Sequence, residues 1–189
     1  MRKILSAEQE ALKEARKRKI MVILISAVLV LSILGSYYGL ENRESKGKVK
    51  HKGIVFTLGE DGWHFSVFGY NFVTAYNPLE TENISILIKM NINDYAGNPL
   101  YFSDNSEYGG ISEIERNLYS AVSRMQFACY TENCTEYAVK NCTDNLVVIQ
   151  ESKDNETFIK QEENCIFISA PSNEILKACD RFLFKILGL

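Results

Sequence analysis

Residues 20–40 read IMVILISAVLVLSILGSYYGL, twenty-one positions without a charge, directly behind Arg16-Lys17-Arg18-Lys19. A helix of that length spans about 30 Å, the thickness of a bilayer's hydrocarbon core. It is apolar on every face, so it needs apolar surroundings on every side rather than one core to lean on. Tyr37 and Tyr38 stand near the far end, at the depth where amphipathic rings prefer the headgroups. The expectation is a transmembrane helix over 20–40 that divides the chain. A basic helical stub (1–19) precedes it, and a juxtamembrane linker (41–52) leads to one domain (53–189).

A cleaved leader is the competing reading. Leaders carry a short basic region, a short apolar core and small residues at the cut. Here nineteen residues precede the apolar run, and a cut near Gly35 would place Ile33 where a small residue belongs. Retention as a signal-anchor follows. The stub holds seven basic residues, four of them abutting the apolar run, against five more distant ones in 41–52. The positive-inside rule then puts the N-terminus in the cytoplasm and the C-terminal domain outside. In the stub, Ser6 and Gln9 form an S-x-x-Q capping box ahead of a run rich in helix formers. The lipid bilayer is the first partner expected; the basic charges beside it are read as setting topology.

The domain has nine basic and nineteen acidic groups. Such a surface repels phosphates, which excludes nucleic acid as a partner. All five cysteines fall in this part: Cys129, Cys134, Cys142, Cys165 and Cys179. In an exported domain that pattern reads as disulfides plus one remaining thiol. Asn83, Asn133, Asn141 and Asn155 each begin an Asn-x-Ser/Thr sequon, making them candidate glycosylation sites.

Alternation with a period of two marks strands at Ile54–Leu58, Trp63–Phe68, Tyr70–Tyr76 and Ile84–Met90, with a further short one at Pro99–Ser103. Asn77-Pro78 and Gly97-Asn98-Pro99 are turn signals. Ser112 and Glu115 form an S-x-x-E box, and Ile114, Leu118, Ala121, Val122 and Met125 continue at helical spacing. Leu146–Glu151 and Thr157–Ser169 read as a hairpin turning at 153–156. An amphipathic helix runs from Pro171 to about Leu187, with Glu174, Lys177, Asp180, Arg181 and Lys185 on its charged side and Gly188 suited to end it. The fold class expected is α+β: mainly antiparallel sheet with two packed helices.

With Ser152 opposite Thr157, the hairpin would set Cys165 across from Asp144, close enough to Cys142 for a disulfide at its base. Cys129 and Cys134 enclose a short loop and form the second expected pair. Cys179 lies on the apolar stripe of the last helix and reads as a small hydrophobe. A C-x₄-C at a helix C-terminus is a poor redox site, because the dipole there disfavours a thiolate.

Other chemistry is sparse. His51 falls in the linker, and His64 reads as a strand histidine. The G-x-S-x-G, P-loop and G-x-G-x-x-G signatures are absent from the sequence. Asp104, Glu107, Glu113 and Glu115 are the only dense carboxylates, without EF-hand spacing, and two of them suit a helix N-terminus. Gly109-Gly110 reads as a turn. No catalytic residue, cofactor or metal is assigned. Trp63, Phe65, Phe68, Tyr70, Phe72, Tyr76, Tyr101 and Phe102 crowd into forty residues, and those facing outward would bind a protein or a glycan. The expected function is therefore binding or assembly at the cell surface. The alternatives are an anchored hydrolase or transferase using His64 or the 104–115 carboxylates, or an accessory or sensor subunit of a membrane complex.

Overall fold

The computed structural model describes residues 16–30, 47–104, 109–130, 134 and 136–189. The chain divides into two units, Met1–Lys46 and Gly47–Leu189. In the first unit, residues 16–30 form a helix (α1) whose side chains are exposed throughout. Among the described residues no helix is long and apolar enough to cross a membrane. α1 contains the first half of the 20–40 stretch; residues 31–40 lie outside the described part, as does the expected capping box at Ser6.

The second unit is mixed α and β, with an antiparallel sheet and several helices. Its first sheet is a meander of β1 (Lys48–His51), β2 (Ile54–Leu58), β3 (Trp63–Val67) and β4 (Tyr70–Thr74), in that order. The segment 41–52 was expected as linker, yet its last residues supply β1, which pairs antiparallel with β2 from Lys48↔Thr57 to His51↔Ile54. Alternating Lys and Val/His gives β1 one solvated face, a composition that also blunts an edge strand.

Asn77-Pro78, expected as a turn, opens a one-turn helix α2 (Pro78–Thr81). Asn77 caps it, and Glu80 closes the capping box. β5 (Ser85–Leu87) and the one-turn α3 (Ile92–Tyr95) lead to β6 (Pro99–Asp104), α4 (Gly110–Leu118) and β7 (Arg124–Phe127). The Ser112 cap is overturned. α4 begins earlier, behind Gly109 at φ 72°, a left-handed conformation that glycine adopts without strain. Gly110 is the packing point. A Cβ there would lie 2.9 Å from Cys179 Sγ and 3.2 Å from Ile149 Cδ1, so glycine lets α4 close on its neighbours.

β8 (Leu146–Glu151), β9 (Phe158–Glu162), β10 (Cys165–Ala170) and α5 (Ile175–Ile186) complete the chain. The second sheet has the order β5-β9-β10-β8-β6-β7. Only β9–β10 is antiparallel; the other four pairings are parallel. This corrects two expectations: the sheet content is not mainly antiparallel, and β8 is not the hairpin partner of the following strand. β10 lies parallel to β8 with Cys165 opposite Leu146, and the hairpin is β9–β10. The physical reason is legible in LVVI and CIFISA. These runs do not alternate, and β10 is buried at all six positions, the signature of interior parallel strands covered on both faces.

α4 and α5 lie between the sheets. Phe184 of α5 meets Phe56 and Phe65 of the meander at 5.9 and 5.8 Å between ring centroids. On its other side α5 packs on β10 and β9, where Ile159, Ile166 and Ile168 are buried. α5 is amphipathic as expected, with Lys177, Arg181 and Lys185 on its one charged stripe, but its buried surface is wider than expected: Asp180 and Phe184 are both fully buried. Fully burying one such aromatic ring contributes about 2–3 kcal/mol. The opposite face of the second sheet carries a smaller core of Tyr101, Leu146, Val148, Cys165 and Phe167.

Two cysteine pairs stand at disulfide distance, Cys129–Cys134 and Cys142–Cys165, with Cα–Cα separations of 5.5 and 4.8 Å. The second pair is the one expected, reached by a different geometry. Parallel pairing puts Cys165 beside the start of β8, and Asn164 N–H donates to Cys142 O at 3.1 Å. Cys179 is buried in α5 and belongs to neither pair.

Candidate binding surface

Most of the aromatic surplus turns inward. Phe65, Phe72, Tyr101 and Phe102 are buried, and Trp63 and Tyr76 are partly buried, so no broad aromatic face exists on these strands. The exception is the β3–β4 hairpin tip. Its register pairs Val67 with Tyr70, leaving a two-residue turn of Phe68 and Gly69 at φ 53° and 82°. Two positive-φ residues make a type I′ turn, whose first position favours Asn, Asp or Gly. A bulky aromatic there carries a conformational cost of about 1–2 kcal/mol. Phe68 is nonetheless 73% exposed and Tyr70 60%. Phe68 thus combines backbone strain with exposure.

Beside the tip is a cleft of about 340 Å³ lined by Phe68, Tyr70, Phe72, Ile92, Ala96, Ala121 and Leu187, with Asn93, Asn117 and Ser120 at its polar edge. Its small lining residues, Ala96 just after α3 and Ser120 and Ala121 just after α4, leave it open. It is open enough to admit one apolar side chain, with the exposed Asn93 amide at its edge.

The wall is fixed by a buried polar cluster that sequence reasoning missed. Asn117 accepts from Val73 N–H at 2.9 Å and donates to Val73 O at 2.8 Å, so its amide serves the edge of β4 as a peptide group would. Arg116 donates to Val73 O at 2.9 Å and pairs with Glu113 at 2.8 Å. Glu113 Oε1 accepts from Ala75 N–H at 3.1 Å, and Asp180 Oδ2 from Tyr76 N–H at 2.8 Å. Asp180 Oδ1 is buried without a hydrogen-bond partner. Burial first, and then the neighbouring Glu113, push the Asp180 carboxyl up to about 9. The signal was the i, i+3, i+4 spacing of Glu113, Arg116 and Asn117 on one face of α4.

The other candidate residues do not assemble. His64 Nε2 lies 2.6 Å from Asp61 Oδ1 on the exposed outer face of the meander, and that hydrogen bond holds the Asp61 carboxyl below its usual range. Ser66 Oγ bonds Asn71 Oδ1 at 2.6 Å instead of turning to the imidazole. Of the 104–115 carboxylates, Glu113 points into the interior, and residue 107 and the Asp104 side chain are outside the described part. Among the described residues no group of His, Cys, Asp and Glu could hold a metal ion. Asn83, Asn141 and Asn155 are exposed, while Asn133 is outside the described residues. Asn141 Oδ1 accepts from Thr143 N–H and Oγ–H at 2.9 and 2.7 Å, folding its sequon into an Asx turn.

The chain matches no protein family model, no curated protein and no solved structure.

Proposed function

We propose that this chain is a membrane-anchored module whose extracytoplasmic domain binds or assembles with another protein through the β3–β4 hairpin tip and the cleft beside it. The observation that carries the reading is Phe68, exposed at a left-handed turn position that an aromatic occupies at a cost. The partner would seat an apolar side chain between Tyr70 and Leu187 and meet the exposed Asn93 amide with its backbone.

Anchoring is supported by the uncharged 20–40 stretch, of which residues 20–30 form a helix with exposed apolar side chains. Outward placement of the domain is supported by the basic residues before that stretch and by two cysteine pairs, which persist in oxidising compartments.

Both parts are tested on the full chain in its own membranes. Protease added to intact cells should digest the domain and spare an N-terminal tag; protection of the domain overturns the outward placement. Affinity isolation in mild detergent should recover a partner that Phe68→Asn loses, and equal recovery by the two chains overturns the binding surface.

A further inference from the structure

Two carboxyl groups from different helices meet inside the protein. Glu113 is buried on α4 and Asp180 on α5, and each accepts one of two consecutive backbone N–H groups, those of Ala75 and Tyr76. We propose that Glu113 and Asp180 share one proton and act as a latch, holding the segment 73–77 between α4 and α5 and releasing it when the proton is lost.

The geometry requires a proton there. Asp180 Oδ1 has no donor in reach, and an unpaired carboxylate oxygen in that position is costly. Placing the proton on Asp180 lets Oδ1–H donate to Glu113 and satisfies both groups. With Asp180 neutral, Glu113 and Arg116 balance; ionising it leaves one uncompensated negative charge in the core.

Among the described residues no second cation bonds Asp180 to absorb that charge. α4 presents Glu113 and Arg116, and Arg116 already pairs with Glu113. On α2, Glu80 is committed to Asn77 N–H at 2.7 Å. β9 and β10 present Ile159, Ile166, Ile168 and Ala170 to the core, and the meander presents Phe56 and Phe65. On α5 itself Lys177 and Arg181 are partly buried flanking residues, and neither bonds Asp180.

The segment held by the pair begins in the last two residues of β4, the strand that carries Tyr70 and Phe72 of the cleft wall. The latch thus sets how firmly one side of the cleft is fixed. Its existence does not depend on the binding reading.

The sign follows from linkage. An Asp in the unfolded chain ionises near pH 4, whereas folded Asp180 keeps its proton to about 9. The closed state therefore binds one more proton than the open state across that window. The latch is fully closed below the window and weakens as pH rises through it, with opening increasing tenfold per pH unit.

The test is amide hydrogen exchange by NMR on the full chain in detergent micelles, expressed as protection relative to the intrinsic rate at each pH. In the wild type, protection at Ala75 and Tyr76 should fall about tenfold per unit between about pH 5 and 8. In Asp180→Asn, which supplies a permanent donor to Glu113 and an acceptor for Tyr76 N–H, that slope should vanish. Glu113→Gln, which removes the like charge but leaves the burial, should keep the slope over a narrower pH window. Protection at the two amides that does not change with pH in the wild type overturns the proposal. So does a slope that persists in Asp180→Asn, or one whose window is unchanged in Glu113→Gln.

Discussion

Asn117 on α4 holds Val73 by both of its backbone groups, at 2.9 Å to the N–H and 2.8 Å to the carbonyl. One side-chain amide thereby takes the place of a neighbouring strand at the β4 edge. It closes an otherwise open edge and ties the meander to the helical layer. Asn117→Ala leaves the Val73 N–H without a partner and its carbonyl with Arg116 alone, and should lower stability by about 2 kcal/mol, while Asn117→Asp, which keeps the acceptor for the N–H but cannot donate to the carbonyl, should cost less. Urea unfolding of the full chain in detergent measures both, and an unchanged midpoint would show the clamp to be idle.

Phe184 is the contact between α5 and the meander, through Phe56 and Phe65. Truncation to Ala should cost about 3–5 kcal/mol, and to Leu distinctly less, because the cavity is smaller. The loss should be read from the same unfolding curves, and a cost below about 1 kcal/mol would place the ring outside the core.

The two cysteine pairs close loops of different size, with sequence separations of 23 and 5. Loop-closure entropy then ranks them: losing Cys142–Cys165 by paired Ser substitution should cost about 3 kcal/mol, and losing Cys129–Cys134 about 2 kcal/mol. Non-reducing mass spectrometry should recover the peptides of each pair linked. Free thiols at Cys142 and Cys165 in protein taken from its native host would refute the larger staple.

Phe68→Asn is expected to separate stability from use. Asn suits the left-handed turn position, so the variant should melt higher, by about 1 kcal/mol of stability, while losing its partner. A variant that melts lower would mean that Phe68 serves the fold.

Strand alternation in the meander was legible in the sequence because one face of each strand is solvated, as in Trp63–Val67. The parallel strands were harder to read. LVVI and CIFISA carry no alternation, and a four-residue turn signal at 153–156 suggested a hairpin that the register does not make. The Cys142–Cys165 proximity came out the same under either pairing, because both bring the start of β8 near Cys165. The aromatic cluster named Phe68 and Tyr70 among eight residues, and only the turn conformation singles out Phe68. Asp180 looked like a surface charge because burial on two faces of α5 depends on a sheet distant in sequence. Phe184, four residues on and on the same side, was the available hint.

The central claim is tested most directly by a photoreactive residue placed at position 68 of the full chain in intact cells, with one at Leu58, also exposed on the meander, as control. A discrete adduct is expected from position 68 and not from 58, destroyed by protease added outside the cell. No adduct at 68, the same adducts at both positions, or an adduct shielded from external protease would contradict a partner-binding tip on the outer side of the membrane.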